Sequence, residues 1–147
     1  MENLSITNLD QSKLLAKAGL DISTADFSVL VKMKKENGII IIEETPYPND
    51  TITYNQDIEN NKNFTAAWSL GKLIDMLPAD IVSQYDINGV EQEDEGGVEY
   101  HLWIEKNYVM YNSLDGRRRL LTTGKNILDA VVEMVITLLK EDFDLNI

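Results

Sequence analysis

The stretch AWSLGKLIDMLP, residues 67–78, contains the most complete set of local folding information in this chain. Ser69 is a suitable N-cap, because its hydroxyl can accept a hydrogen bond from a free amide of the first helical turn. The apolar residues after it recur at helical spacing and form one stripe: Leu70, Leu73, Ile74 and Leu77. Trp68 lies just before the cap, where a large ring can pack back against the first turn. The stretch therefore predicts a helix over residues 69–77 with a buried tryptophan at its start.

The residues before this helix predict a helix followed by a β-hairpin. LDQSKLLAKAGL has a helical apolar face, with Asp10 as the expected N-cap and Gly19 as the left-handed residue after the helix. The next segment alternates apolar and polar residues as a strand does, with Phe27, Val29, Val31 and Met33 on one face. ENG is a turn motif, and IIIIEE after it completes an antiparallel hairpin.

Two long loops are expected. Residues 45–63 contain two prolines and five asparagines, with room for one short strand over residues 52–54. A loop of this length in a compact domain is either functional or mobile, and we favour a mobile one. Residues 86–97 form an acidic loop that includes EQEDE at 91–95. Pro78 either ends the preceding helix or begins a short second helix over residues 78–85.

The last third of the chain predicts a meander and a long helix. VEYHLWIEK and NYVMYNSL form a hairpin that turns near Lys106 and Asn107, and RRRLLTT can add a third strand. NILDAVVEMVITLLKE, residues 126–141, is a helix with Asn126 as its expected N-cap. It is apolar on all but one narrow stripe, so it is expected to be largely buried. The chain is therefore expected to fold as one α+β domain over residues 1–147. About three helices accompany a mostly antiparallel sheet, and the long C-terminal helix packs on it.

Composition excludes several classes of function. The chain has no cysteine, so disulfides, thiolate nucleophiles and thiolate metal sites are absent. No apolar run approaches the roughly 20 residues that cross a bilayer, and the N-terminus lacks the pattern of a secretion signal. The net charge of −12, from 13 basic and 25 acidic residues, disfavours binding to nucleic acids and anionic membranes. A cytoplasmic protein with protein partners is the expected class.

Three phrases together resemble a known group of proteins: DQSKLLAKAGLDISTADF, AWSLGKLIDMLP and NILDAVVEMVITLLKE. Their order and spacing look like a group of small proteins of unknown function from Bacteroidetes chromosomes and prophages. Members often have a proline before the AWSLG phrase, where this chain has Ala66. The resemblance covers most of the chain and implies a bacterial or prophage origin, but it carries no catalytic residue.

No sequence motif identifies an active site, a cofactor or a metal site. His101, the only histidine, is either a general base or a surface residue of a strand, and we favour the surface residue. EQEDE lacks the spaced ligands of a calcium loop. The Tyr and Trp residues of the second hairpin cannot all face one core, so some must contact a partner, be covered or stay exposed. The candidate interaction surface consists of Trp103, Tyr108, Tyr111, Arg117, Arg118 and Arg119.

Three hypotheses of function remain open. The first is a non-enzymatic interaction or accessory protein, which should present an apolar or aromatic patch. The second is an acidic inhibitor that mimics nucleic acid, which should present rows of carboxylates. The third is a small enzyme that uses carboxylates, which should have a cleft with convergent acids. We favour the interaction protein, and a monomer over a homodimer, because the strong negative charge opposes self-association.

Overall fold

The computed structural model describes residues 5–49, 64–83, 97–114 and 116–147. The helices are α1 (Leu9–Ala18), α2 (Leu70–Met76) and α3 (Ile127–Lys140), and a 3-10 turn covers Ile22–Thr24. The strands are β1 (Phe27–Glu36), β2 (Ile39–Pro48), β3 (Phe64–Ala67), β4 (Asp80–Ser83), β5 (Val98–Glu105), β6 (Tyr108–Ser113) and β7 (Arg119–Thr123). The α+β prediction is confirmed. No helix in the described ranges is long and apolar enough to cross a membrane.

The chain divides into two compact units, Met1–Lys72 and Leu73–Ile147. The first contains a three-stranded antiparallel sheet in the order β2-β1-β3, and the second contains a four-stranded antiparallel sheet in the order β4-β5-β6-β7. A single domain over residues 1–147 remains a prediction, because the division into compact units does not test it.

The β1–β2 hairpin extends beyond the described part of the third strand. β1 pairs with β2 along all ten of its residues, and within the described residues it pairs with β3 over Phe27–Leu30. The hairpin closes through Asn37 and Gly38, whose φ angles are 52° and 78°. Positive φ at both positions defines a type I′ turn, which matches the twist of the strands and favours Asn-Gly. The predicted hairpin is therefore confirmed, and its outer half is a two-stranded ribbon.

Trp68 connects three segments of the first unit. Its side chain is fully buried, and its indole Nε1 donates to the Thr24 hydroxyl at 3.0 Å. Its backbone N–H donates to the Thr7 hydroxyl at 3.0 Å, and its carbonyl accepts from the Thr7 amide at 2.9 Å. The next residue, Ser69, caps α2 as predicted by accepting from the Lys72 amide, and donates its hydroxyl to Asp26 at 2.5 Å.

The second unit is built on α3, which packs against β6 and β7. The Thr122 hydroxyl donates to the Ala130 carbonyl at 2.7 Å, which fixes the side of the sheet that faces the helix. Asn126 caps α3 as predicted, accepting from the Asp129 amide at 2.9 Å. Most of the helix is buried, as its apolar pattern predicts: Ala130, Val131, Val132, Met134, Val135, Ile136 and Leu138.

Two local predictions are wrong, and one pair of alternatives is decided. Residues 45–48 belong to β2 rather than to a loop, because prolines are tolerated in an edge strand. Pro78 follows the end of α2, as one alternative predicts, whereas residues 80–83 form a strand paired with β5 rather than a second helix. α1 is capped by Asn8 rather than Asp10, in a capping box with Gln11. The expected short strand at 52–54 and the acidic run 91–95 lie outside the described residues.

The two tryptophans allow a matched test of this packing. We expect Trp68→Ala to lower the free energy of unfolding by ~3–5 kcal/mol, because it removes a large buried side chain together with its hydrogen bond to Thr24. Trp103→Ala removes the same side chain from a position that is 56% exposed, and should cost far less. Denaturant unfolding measures both, and an equal loss in the two variants would contradict the structural role of Trp68.

Candidate functional site

The face of the four-stranded sheet opposite α3, called here the outer face, carries three of the predicted surface residues. Trp103 is 56% exposed there, and its strand neighbours are Met110 and then Leu121, so that an apolar row crosses β5, β6 and β7. Tyr108 and Arg119 lie on the same face, because Tyr108 is directly opposite Glu105 and Arg119 is directly opposite Asn112 in the register. Arg117 and Arg118 are exposed in the connection before β7.

Tyr111 is not part of this surface, contrary to the prediction. Its side chain is fully buried, and its hydroxyl donates to the Pro78 carbonyl at 2.7 Å. Burial raises the pKa of the Tyr111 phenol well above its ordinary value, and the charge of Asp80 adds to the shift. The sequence placed the strand correctly but could not decide which of its two alternating faces would meet α3.

Glu105 orients the aromatic side chains of the outer face. Its Oε2 accepts from the Tyr108 hydroxyl at 2.5 Å and from the Trp103 indole at 3.2 Å. These bonds hold the pKa of the Glu105 carboxyl below its ordinary value, and the bond from Tyr108 is the larger cause. In turn, the bond to Glu105 raises the pKa of the Tyr108 phenol. The two rings are therefore held in place on an exposed surface.

The first unit carries a second apolar surface, which the sequence analysis missed. It lies on the outer half of the β1–β2 hairpin, called here the ribbon, residues 31–44. Five large apolar side chains are exposed there, by 39–69%: Met33, Ile39, Ile40, Ile41 and Ile42. The signal was present in the sequence, because four consecutive isoleucines on a hairpin must place two on each face.

No strand in the described part of the chain pairs with the outer edge of the ribbon. In a hairpin with a two-residue turn, the residues that flank the turn form backbone hydrogen bonds to each other; here they are Glu36 and Ile39. Because such bonds alternate along an antiparallel pair, the odd-numbered residues of β2 direct their backbone N–H and C=O groups toward β1. Pro46 and Pro48 agree with this assignment, because proline has no N–H and fits positions whose N–H would point away from β1. Ile40 and Ile42 therefore direct their N–H and C=O groups outward from an edge strand.

Three potential metal ligands meet on the outer face near β4. Asp80 is directly opposite His101 in the β4–β5 pair, and Glu99 is two residues from His101 on the same face. One ligand atom from each of the three lies within 4.8 Å of the others. The His101 Nδ1 contacts a carboxylate oxygen of Asp80, whereas its Nε2 is buried and makes no hydrogen bond within the described part of the chain.

His101 is a strand residue on the surface side of the sheet, as predicted, but its neighbours were not predicted. The sequence placed Asp80 either after the 69–77 helix or in a short helix over residues 78–85, and it is the β4–β5 pairing that brings this residue beside His101. In comparisons with protein-family models, curated proteins and solved structures, no match to this chain was found. The function therefore has to be argued from these three features: the outer face, the ribbon and the ligand cluster.

The hydrogen bond between Tyr108 and Glu105 can be tested by titration. We expect Glu105→Gln to lower the pKa of Tyr108 toward its ordinary value, because the carboxylate that stabilises the protonated phenol loses its charge. Glu99→Gln is the control, since it makes the same charge change on the same strand and face. NMR titration of labelled tyrosines would measure the shift, and an unchanged Tyr108 in Glu105→Gln would contradict the assigned network.

Proposed function

We propose that this protein is a non-enzymatic cytoplasmic interaction protein that binds a partner protein by strand addition at the ribbon. The observation that carries the proposal is the combination of four exposed isoleucines with outward-facing backbone groups on β2. An isolated two-stranded ribbon is marginally stable in water, and a third strand would stabilise it. The resemblance of the sequence to Bacteroidetes and prophage proteins supports an accessory role in such a genome.

The pattern of prolines supports binding at one specific part of the edge. Pro46 and Pro48 remove two outward N–H groups from the half of β2 nearest the body of the first unit. Next to them, the Glu44 carboxylate accepts from the Leu9 amide at 3.1 Å. Among the described residues, the half around Ile40 and Ile42 has no proline and no strand paired along its outer side. Long apolar edges are ordinarily blocked, so this part of β2 is suited to recognition by an added strand.

The chemistry of the ribbon defines the partner. Ile40, Ile42 and Met33 lie on one face, because Ile42 is opposite Met33 in the register. An incoming strand with alternating apolar side chains would cover these three and complete the backbone ladder. Lys34 and Glu43 pair with each other at 3.0 Å, so the other face of the ribbon offers little net charge. The overall charge of −12 favours a partner that is basic outside the docked strand.

The outer face of the second unit is a separate candidate surface for protein contacts. Its apolar row contains two exposed side chains, Trp103 at 56% and Leu121 at 47%. Arg119 lies on the same face, Arg117 and Arg118 are exposed just before β7, and arginine is suited to binding carboxylates. Tyrosine, tryptophan and arginine are enriched among residues that dominate binding energy.

Proline at position 42 tests strand addition without breaking the hairpin. We expect Ile42→Pro to abolish partner binding, because it removes an outward N–H in the same way as Pro46 and Pro48 do naturally. Ile42→Thr is the matched control, since it shortens the same side chain but keeps the amide. The experiment immobilises each full-length protein, captures proteins from a lysate of the native host, and quantifies them by mass spectrometry. Thermal unfolding of both variants verifies the fold.

The two variants should differ clearly. A partner retained by the wild type, weakened in Ile42→Thr and lost in Ile42→Pro supports strand addition. A partner retained equally by Ile42→Pro contradicts it, as does a wild-type protein that retains nothing above the Ile42→Pro level. Ile41→Pro serves as a control for a destabilised hairpin, because the N–H of Ile41 points toward β1 and its loss removes a hydrogen bond between the two strands.

The oligomeric state gives a separate prediction. We expect light scattering to give the mass of one chain at low and at moderate salt, because the charge of −12 opposes self-association. A stable mass of two chains at both salt concentrations would contradict the monomer. If Ile42→Pro then returned that species to one chain, the added strand would come from a second copy.

A further inference from the structure

Asp80, Glu99 and His101 form a cluster that a cation would complete. Asp80 and His101 are fixed by direct pairing across β4 and β5, and Glu99 is the next residue on that face of β5. The three donor atoms lie within 4.8 Å of one another. Ligand atoms around one Zn²⁺ are about 3–4 Å apart, since each bond is about 2.0–2.2 Å. A small rotation of the side chains would therefore bring all three onto one ion, without any change in the strand pairing.

We propose that Asp80, Glu99 and His101 bind one Zn²⁺ ion as an exchangeable surface site, independently of the function proposed above. Two carboxylate oxygens and one imidazole nitrogen are a donor set suited to Zn²⁺. Ca²⁺ and Mg²⁺ fit less well, because both prefer oxygen ligands throughout. Three protein ligands leave a fourth position for water.

The charge of the cluster favours a dication. Two carboxylates approach each other there, and His101 is the one basic group that forms an ion pair with either of them in the described ranges. A divalent ion would neutralise both carboxylates at once. The surrounding protein adds to this attraction, because the chain carries a net charge of −12.

The exposure of the ligand side chains and the surroundings of the His101 Nε2 indicate a weak site whose ion exchanges with solvent. The side chains of His101 and Asp80 are 40% and 49% exposed, so water and chelators can reach the site. The His101 Nδ1 faces Asp80 and is the nitrogen available to the ion. Coordination through Nδ1 places the ring proton on Nε2, which is buried and has no hydrogen-bond partner among the described residues. This makes the site weaker than a zinc site whose histidine has a second hydrogen bond.

The single histidine of the chain provides a direct readout. We expect the ring resonances of His101 to shift on titration of chelator-treated protein with Zn²⁺ alone, and the shift to be complete at one ion per chain. A competition titration with a chromophoric zinc indicator would give the affinity. Asp80→Asn, Glu99→Gln and His101→Asn should each weaken the site at least about tenfold, since each changes a ligand.

Glu105→Gln is the matched control, because it makes the same charge change as Glu99→Gln on the same face of β5, outside the cluster. Its zinc affinity should equal that of the wild type. Circular dichroism of each variant verifies that the fold is retained. The proposal is overturned if the His101 signals do not move with Zn²⁺, or if Glu99→Gln and Glu105→Gln bind it equally. Neither result bears on strand addition at the ribbon, so the two proposals fail separately.

Discussion

The burial of Trp68 is the interaction on which the first unit depends. Its indole is fully buried, and its three polar backbone and side-chain groups bond to Thr7 and Thr24. Because these partners come from the N-terminal segment and from the turn before β1, one residue ties both segments to the end of β3. Ser69 extends this connection, since it caps α2 and also binds Asp26 through its amide and its hydroxyl. A buried ring with satisfied polar groups therefore explains the stretch AWSLG without any ligand.

The buried core of the first unit ends partway along β1. Buried positions on β1 end at Leu30, where its pairing with the described part of β3 also ends. Beyond this point β2 is the one described strand that pairs with β1, and β1 is exposed from Lys32 onward. Apolar residues at Met33 and Ile40 consequently remain exposed. Alternation in β1 continues past the core, which shows that an apolar pattern records a face but does not guarantee that this face is buried.

Local features of the fold could be predicted from the sequence, whereas pairing across the chain could not. The Asn37–Gly38 turn, the Ser69 and Asn126 caps and the apolar surface of α3 depend on neighbouring residues, and all were predicted correctly. β4 was missed, because four residues after a proline contain too little alternation to outweigh a helical start.

The candidate sites were harder to predict for the same physical reason. The ligand cluster requires Asp80 to lie opposite His101, which is a consequence of pairing between segments that are distant in sequence. Tyr111 was assigned to a surface, because alternation gives two faces without stating which one meets a helix. Only Trp103, Tyr108 and the arginines remained on exposed or half-exposed positions of the predicted surface.

The edge strands β4 and β2 differ in how they resist pairing with another chain. Among the described residues, β4 is an edge of the second sheet, and its first residue, Asp80, is charged. Charged edges resist pairing with other chains. β2 is an edge of ten residues, and prolines protect only the half that already lies beside the core. The half that carries Ile40 and Ile42 is apolar, contains no proline and pairs with no described strand along its outer side. The proposal of strand addition rests on this contrast between the two halves of one edge strand.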